Sequence, residues 1–137
     1  MPLLEVTGLN LFLRSSQGAV QALRHLSFKL ERGHALGIIC ESGSGKSLTA
    51  QTLMGLQPDN ASVTGSIRWE GRELLGQTER DWQAMRGNRI AMVFQEPMTA
   101  LNPVHPIGRQ VAEPLRLHQR LGHQQALQAA TALLERV

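Results

Sequence analysis

The sequence predicts an α/β fold, and three of its features lead to that prediction. Alternating or continuous apolar runs, the spacing typical of β-strands, recur in residues 4–94. A glycine-rich loop follows one of these runs and is itself followed by apolar residues at helical spacing. From Asn102 onward, prolines and then a one-faced helical pattern replace the strand signals. We therefore expect a β-rich and α/β core in residues 1–101 and the start of a helical subdomain in residues 102–137.

Two strands and a turn are predicted at the start of the chain. Apolar residues alternate from Leu4 to Leu13 and again from Ala19 to Leu30, and the polar turn 14–18 separates the two stretches. After a second turn at residues 31–33, Ala35 to Ile39 form a continuous apolar run. Such a run is typical of a strand buried on both faces, so we expect a buried strand here.

A helix is predicted from Ser47 to Leu56, where apolar and threonine side chains recur at helical spacing until a Pro-Asp-Asn sequence ends it. Residues 63–75 predict a second small β region with a turn at residues 70–72. Thr78 to Arg86 predict a short helix that begins with a threonine cap and ends at a Gly-Asn pair. At the end of the chain, residues 124–137 predict a helix with one apolar face.

A phosphate-binding loop is predicted between the run at residues 35–39 and the helix from Ser47. Glycines let successive backbone N–H groups point into one concavity, and the following helix adds its positive N-terminal dipole. Lys46 would supply a full charge for the β and γ phosphates, and the Ser47 hydroxyl would bind Mg²⁺. The predicted nucleotide-binding residues are Cys40, Glu41, Ser42, Gly43, Ser44, Gly45, Lys46, Ser47 and Leu48.

One residue departs from the strict pattern of this loop. Cys40 stands five residues before Gly45, where the pattern has glycine. If that position needs a positive φ, a Cβ costs on the order of 1 kcal/mol. We therefore expect weaker nucleotide binding rather than its loss.

A second apolar run, Ile90 to Phe94, predicts another buried strand and leads into a distinctive segment. The segment reads Gln95-Glu96-Pro97-Met98-Thr99-Ala100-Leu101-Asn102-Pro103. It resembles the Q-loop of ABC transporter ATPases, in the form found in the oligopeptide, dipeptide and nickel importer group. Together with the phosphate-binding loop, the resemblance covers essentially the whole chain and corresponds to the N-terminal half of such a subunit.

The resemblance implies a fold and a set of partners. The fold is a P-loop NTPase of the ABC ATPase type, with an N-terminal antiparallel β subdomain, an incomplete RecA-like core and the start of a helical subdomain. Gln95 would present its amide oxygen to Mg²⁺ or to the attacking water of bound ATP, and the loop from Glu96 would face a membrane-spanning subunit. A second ATP-binding subunit, identical or different, and a place on the cytoplasmic face of the inner membrane are also implied.

Several residues that such subunits use are absent from the sequence. There is no Leu-Ser-Gly-Gly-Gln signature, no apolar strand ending in Asp and a catalytic Glu, and no switch histidine. The position that stacks on adenine in the family corresponds to Leu13, and strand alternation points the adjacent Phe12 the other way. We therefore expect little or no ATP hydrolysis by these 137 residues alone.

Other functions remain open from the sequence. The chain is interpreted first as part of a nucleotide-binding subunit for peptide uptake. The alternatives are a non-catalytic nucleotide-binding or regulatory module, a degenerate gene remnant, and a small P-loop kinase. The kinase is disfavoured because no arginine cluster of a lid follows the loop.

Overall fold

The structure, a computed structural model, describes residues 1–39, 41, 43 and 45–137. The chain forms two compact units, Met1–Trp82 and Gln83–Val137. The predicted division after residue 101 stays a prediction.

The first unit contains a four-stranded antiparallel sheet with the strand order β2-β1-β3-β4. Its strands are β1 (Leu4–Ser15), β2 (Gly18–Leu30), β3 (Ala61–Trp69) and β4 (Arg72–Glu73). They coincide with the strands predicted from alternation, and the tight connections at residues 16–17 and 70–71 lie in the predicted turns. The antiparallel β subdomain is therefore confirmed.

The core of this sheet comes mainly from β1, which supplies Leu4, Val6, Leu9 and Leu11, all less than 9% exposed. The spacing from Val6 to Leu9 is three rather than two, because the strand register shifts there in a bulge. The side chain of Asn10 stabilises the irregularity, since its Oδ1 accepts hydrogen bonds from a backbone N–H and a side chain of β2. The bulge keeps one face of β1 apolar from Leu4 to Leu11.

Two short helices belong to this part of the sequence, one between β2 and β3 and one after β4. The helix α1 (Lys46–Leu53) buries Thr49 and Thr52, and it begins one residue before the predicted start. The helix α2 (Glu79–Met85) begins after Thr78, whose hydroxyl accepts from the Asp81 N–H at 3.3 Å, while the Thr78 N–H donates to Asp81 Oδ2 at 3.3 Å. This reciprocal pair is the arrangement of a capping box and confirms the predicted threonine cap.

The second unit is helical in its C-terminal part. A 3₁₀ turn (Pro97–Thr99) precedes α3 (Ile107–Gln119) and α4 (His123–Leu134), which pack against each other. Their contact contains small buried side chains, with larger apolar ones around them: Ala112, Ala126, Ala130, Val111, Leu115, Leu121 and Leu127. The predicted C-terminal helix is confirmed. None of the described helices is both long and apolar enough for a bilayer crossing.

The predictions of two buried strands are wrong for the described residues. The segments Ala35–Ile39 and Ile90–Phe94 have no regular strand, apart from an isolated bridge between Arg86 and Ile90, and Ile39 and Val93 are each 97% exposed. A continuous apolar run becomes a buried strand only when neighbouring strands cover it. No described strand of this chain pairs with residues 35–39, so the run stays exposed.

Candidate phosphate-binding site

The start of α1 has features that suit phosphate binding. Gly45 is the N-cap residue and has φ 92°, in the left-handed region. Its carbonyl accepts hydrogen bonds from both the N–H and the hydroxyl of Thr49, each at 2.8 Å. Lys46 and Ser47, which follow directly, are exposed. The positive end of the helix and an ammonium group are therefore presented to solvent together.

The sheet fixes the position of Gly45. A Cβ built on this residue would lie 2.7 Å from Leu23 Cδ2 and 3.3 Å from the carbonyl oxygen of Ala22, both on β2. A side chain there requires a shift of the Leu23 side chain and a small adjustment of the backbone at Ala22. Gly43 also has a positive φ, 79°, but a Cβ there would have no neighbour within 4 Å. Packing thus demands glycine at Gly45, whereas only the backbone conformation favours it at Gly43.

Lys46 reaches back across the loop. Its Nζ donates a hydrogen bond to the carbonyl oxygen of Glu41 at 2.9 Å, which links the two ends of the predicted phosphate-binding segment. The structure thereby brings Glu41 and Lys46 of the predicted set into contact. The predictions for Cys40, Ser42 and Ser44 lie outside the described residues.

A cavity of about 340 Å³ adjoins Lys46 and belongs entirely to the first unit. Its lining combines two basic side chains with a hydroxyl and apolar groups: Arg24, Lys46, Thr49, Ala22, Leu23, Leu26 and Ile38. Ligand pockets are commonly about 300–1,000 Å³ and mostly apolar with a few polar groups. The cavity therefore has the size and the positive charge that suit a small anionic ligand.

The residues present also fit a divalent cation beside bound phosphate. Ser47 stands in the first turn of α1 and is exposed, so its hydroxyl is available as an oxygen ligand, the type that Mg²⁺ takes. Leu48, the last residue of the predicted set, is half-buried on the same helix. Its side chain therefore helps anchor the helix, and its contribution to a phosphate site would come from the backbone.

Leu13 stands near the end of β1, paired with Val20 on β2 and Ala61 on β3. It is half-buried, and its neighbour Phe12 occupies the next register position, opposite Gln21 on β2. An aliphatic side chain at Leu13 offers apolar contact to a base but no aromatic face for stacking.

Gln95 belongs to the second unit and is exposed, at the end of the irregular segment that follows Ile90. Its role toward Mg²⁺ or water stays a prediction.

Sequence reasoning missed the residues that support the loop. Thr49 carries a recognisable signal, because a threonine hydroxyl in a helix can bond back to the carbonyl of the residue four positions before it. Leu23 and Ala22 carry no such signal. Their contact with Gly45 depends on where the bulged β2 strand meets α1, which only the three-dimensional fold determines.

The chain is similar in sequence to known proteins over nearly its whole length. The family described as ABC transporter matches residues 23–137. The chain is 46% identical, over 136 residues, to the dipeptide transport ATP-binding protein of Lactococcus lactis, covering 98% of this chain and 39% of that protein. It is 44% identical to the oligopeptide transport ATP-binding protein of Mycobacterium tuberculosis, with 99% and 22% covered. It is 45% identical to the glutathione import ATP-binding protein of Salmonella choleraesuis, with 98% and 23% covered. The chain therefore spans about two fifths or less of these relatives.

Proposed function

This chain belongs to the ABC transporter family, as its two loop segments predicted, and we propose that it binds Mg²⁺-ATP as part of an ATP-binding subunit for peptide import. The observation that carries the proposal is the start of α1. There Gly45 turns the backbone into the left-handed region, and Lys46 follows at the positive end of the helix. This is the arrangement that holds nucleotide phosphates in P-loop proteins.

We assign a separate role in nucleotide binding to each of these residues. The backbone N–H groups of the predicted loop would bind the phosphates, and Lys46, which donates to the Glu41 carbonyl, would supply its charge to the β and γ phosphates. The Ser47 hydroxyl binds Mg²⁺, which neutralises phosphate charge when bound. Gln95 supplies a further amide oxygen to the metal or orients water.

The proposed substrate and partners follow from the relatives. Three relatives are named as ATP-binding proteins for dipeptide, oligopeptide and glutathione transport. We propose peptides or related solutes as the cargo, a membrane-spanning subunit as one partner and a second ATP-binding subunit as the other. The chain would act on the cytoplasmic face of the membrane, with the exposed segment from Glu96 toward the membrane-spanning subunit.

Binding without turnover is proposed for the 137 residues by themselves. The sequence holds no signature motif, no Asp-Glu pair after an apolar strand and no switch histidine. Phosphoryl transfer depends almost entirely on positioned charges and a placed nucleophile, so a site without these groups binds nucleotide but hydrolyses it very slowly.

The test is titration calorimetry of the purified chain with Mg²⁺-ATP. We expect saturable binding that is lost in Lys46→Ala. The matched control is Lys29→Ala, which removes the other lysine of the sequence, an exposed residue paired with Glu5 at 2.7 Å. Binding should persist in this control. A folded wild-type chain that takes up no nucleotide, or equal binding by both variants, would contradict the proposal.

A further inference from the structure

One glutamine in the second unit organises an exposed loop. The loop consists of residues Asn102–His105, between the 3₁₀ turn and α3, and Gln110 lies in the first turns of α3. Gln110 Oε1 accepts a hydrogen bond from the Asn102 N–H at 2.8 Å. Its Nε2 donates to the carbonyl oxygens of Asn102 at 2.9 Å and of His105 at 2.8 Å. One side chain thus joins both ends of the loop to the helix.

The remaining backbone N–H groups of the loop are also bonded. The Val104 N–H donates to Asn102 Oδ1 at 3.0 Å, and the His105 N–H donates to the Asn102 carbonyl at 3.3 Å. Pro103 has no N–H and restricts φ, as does Pro106 directly after the loop. Every backbone N–H in residues 102–105 therefore has a partner within the loop or on Gln110.

Burial does not explain the defined conformation of residues 102–105. Around the loop, Leu101 is 45% exposed, Val104 78% and Ile107 53%. A loop with exposed apolar side chains and no core contact normally samples many conformations. Here hydrogen bonds to Gln110, together with those to Asn102 within the loop, define the loop conformation. A prearranged loop loses less entropy when it binds a partner.

We propose that Gln110 is a positioning residue. It holds residues 102–105 in the conformation in which Leu101, Val104 and Ile107 contact the membrane-spanning subunit. The inference rests on the proposed function for the identity of the partner. The anchoring of the loop by Gln110 can be tested without that partner.

The first experiment measures amide hydrogen exchange in Gln110→Met, which keeps the side-chain length and removes all three hydrogen bonds. We expect the protection of Asn102, Val104 and His105 to fall about tenfold or more, because lost hydrogen bonds lower the free energy of local opening. The matched control is Gln128→Met, an exposed glutamine on α4, which should leave the loop unchanged. Unchanged loop protection in Gln110→Met would overturn the proposal.

A second variant separates positioning from general destabilisation. In Gln110→Glu the introduced carboxylate keeps the acceptor but places negative oxygen against the carbonyls of Asn102 and His105. Protonation restores a donor, so loop protection relative to wild type should recover as the pH falls through the carboxyl pKa, ordinarily about 4.3. A carboxyl variant that shows no recovery contradicts hydrogen bonding as the cause.

The third experiment tests docking with inverted membrane vesicles prepared with and without the dipeptide permease subunits of Lactococcus lactis. Wild type and Gln128→Met should bind the permease-containing vesicles, and Gln110→Met should bind about tenfold more weakly while its ATP binding stays unchanged. Equal binding by Gln110→Met overturns the positioning role. Absence of wild-type binding, with ATP binding intact, overturns the docking role and the proposed partner but leaves the nucleotide proposal standing.

Discussion

At Gly45 the backbone and the packing impose the same requirement. The residue has φ 92°, and a Cβ would lie 2.7 Å from Leu23 Cδ2. A left-handed conformation alone costs a non-glycine residue about 1–2 kcal/mol. The steric overlap adds to that cost, because Leu23 is buried in the sheet core and has little room to move.

We predict that Gly45→Ala lowers thermal stability and ATP affinity more than Gly43→Ala does. Gly43 has a similarly positive φ, 79°, but open space around its Cβ position, so it reports the conformational cost alone. Thermal unfolding and calorimetric titration of the two variants measure the difference. Equal losses would mean that the contact with Leu23 contributes nothing to the loop.

Glu73 on β4 is a carboxyl group with an unusual set of donors. Burial by itself raises its pKa, but hydrogen bonds from the Ser66 hydroxyl and from the backbone N–H groups of Ile67 and Leu75 outweigh burial, so the pKa lies below its ordinary value. The ionised form therefore stabilises the contact between β3, β4 and the turn that follows.

The sign of the pH dependence follows from this lowered pKa. The stabilisation by Glu73 is fully present above the unfolded-state pKa of about 4.3 and is lost as the pH falls toward the lower folded-state value. We predict that the melting temperature of wild type exceeds that of Glu73→Gln at pH 7. The difference between the two melting temperatures should decrease below about pH 4.5. Melting curves of both proteins between pH 3 and 7 measure this difference. A difference that does not change with pH would exclude stabilisation by the ionised Glu73 carboxylate.

Among the strands and helices, those specified by a pattern within their own residues could be predicted from the sequence. Alternation places β1 and β2 correctly, and the threonine at the start of α2 forms its cap as expected. The runs at residues 35–39 and 90–94 failed because burial of a strand is a property of its neighbours. An apolar composition shows that a segment could be buried, but pairing with neighbouring strands decides whether it forms a buried strand.

The contact between α3 and α4 depends on small side chains. Ala126 and Ala130 are fully buried and Ala112 is 2% exposed, so the two helices approach closely where these residues meet. We predict that Ala130→Leu destabilises the second unit by about 1–3 kcal/mol, because the added carbons force the helices apart. Ala129→Leu, on a half-buried position of the same helix, should cost less. Chemical denaturation of both variants is the measurement, and equal costs would contradict close packing.

For the whole molecule, the exposed apolar segments predict association. Ile39 and Val93 are each 97% exposed, in runs whose composition suits a buried strand. Unpaired strand-like segments favour self-association. We expect sedimentation velocity to show concentration-dependent oligomers, reduced in the double variant Ile39→Glu, Val93→Glu. Leu117→Glu, on α3 and 69% exposed, adds charge elsewhere and should have a smaller effect. A monomeric wild type at high concentration would contradict this prediction.

At this scale the sequence predicted the family and most of the first unit, but not the support of the candidate site. Lys46 and Gly45 were recognisable because their spacing is a motif. The contact of Leu23 with Gly45 and the bonds of Gln110 to the loop at residues 102–105 join segments whose meeting no local pattern specifies. Such contacts become visible only after the fold is known.

The strand order also bears on how nucleotide recognition could be moved between proteins. β2 and β3 flank β1, so residues 31–60 leave the sheet at Leu30, opposite Leu4, and return at Ala61, opposite Leu13. The two points lie roughly 30 Å apart along one strand, and the free energy of closing such a loop depends only weakly on its length. We therefore expect the sheet to tolerate replacement of residues 31–60 by segments of other lengths. A graft of the candidate phosphate loop into another protein would also need Leu23, because that β2 side chain lies against Gly45.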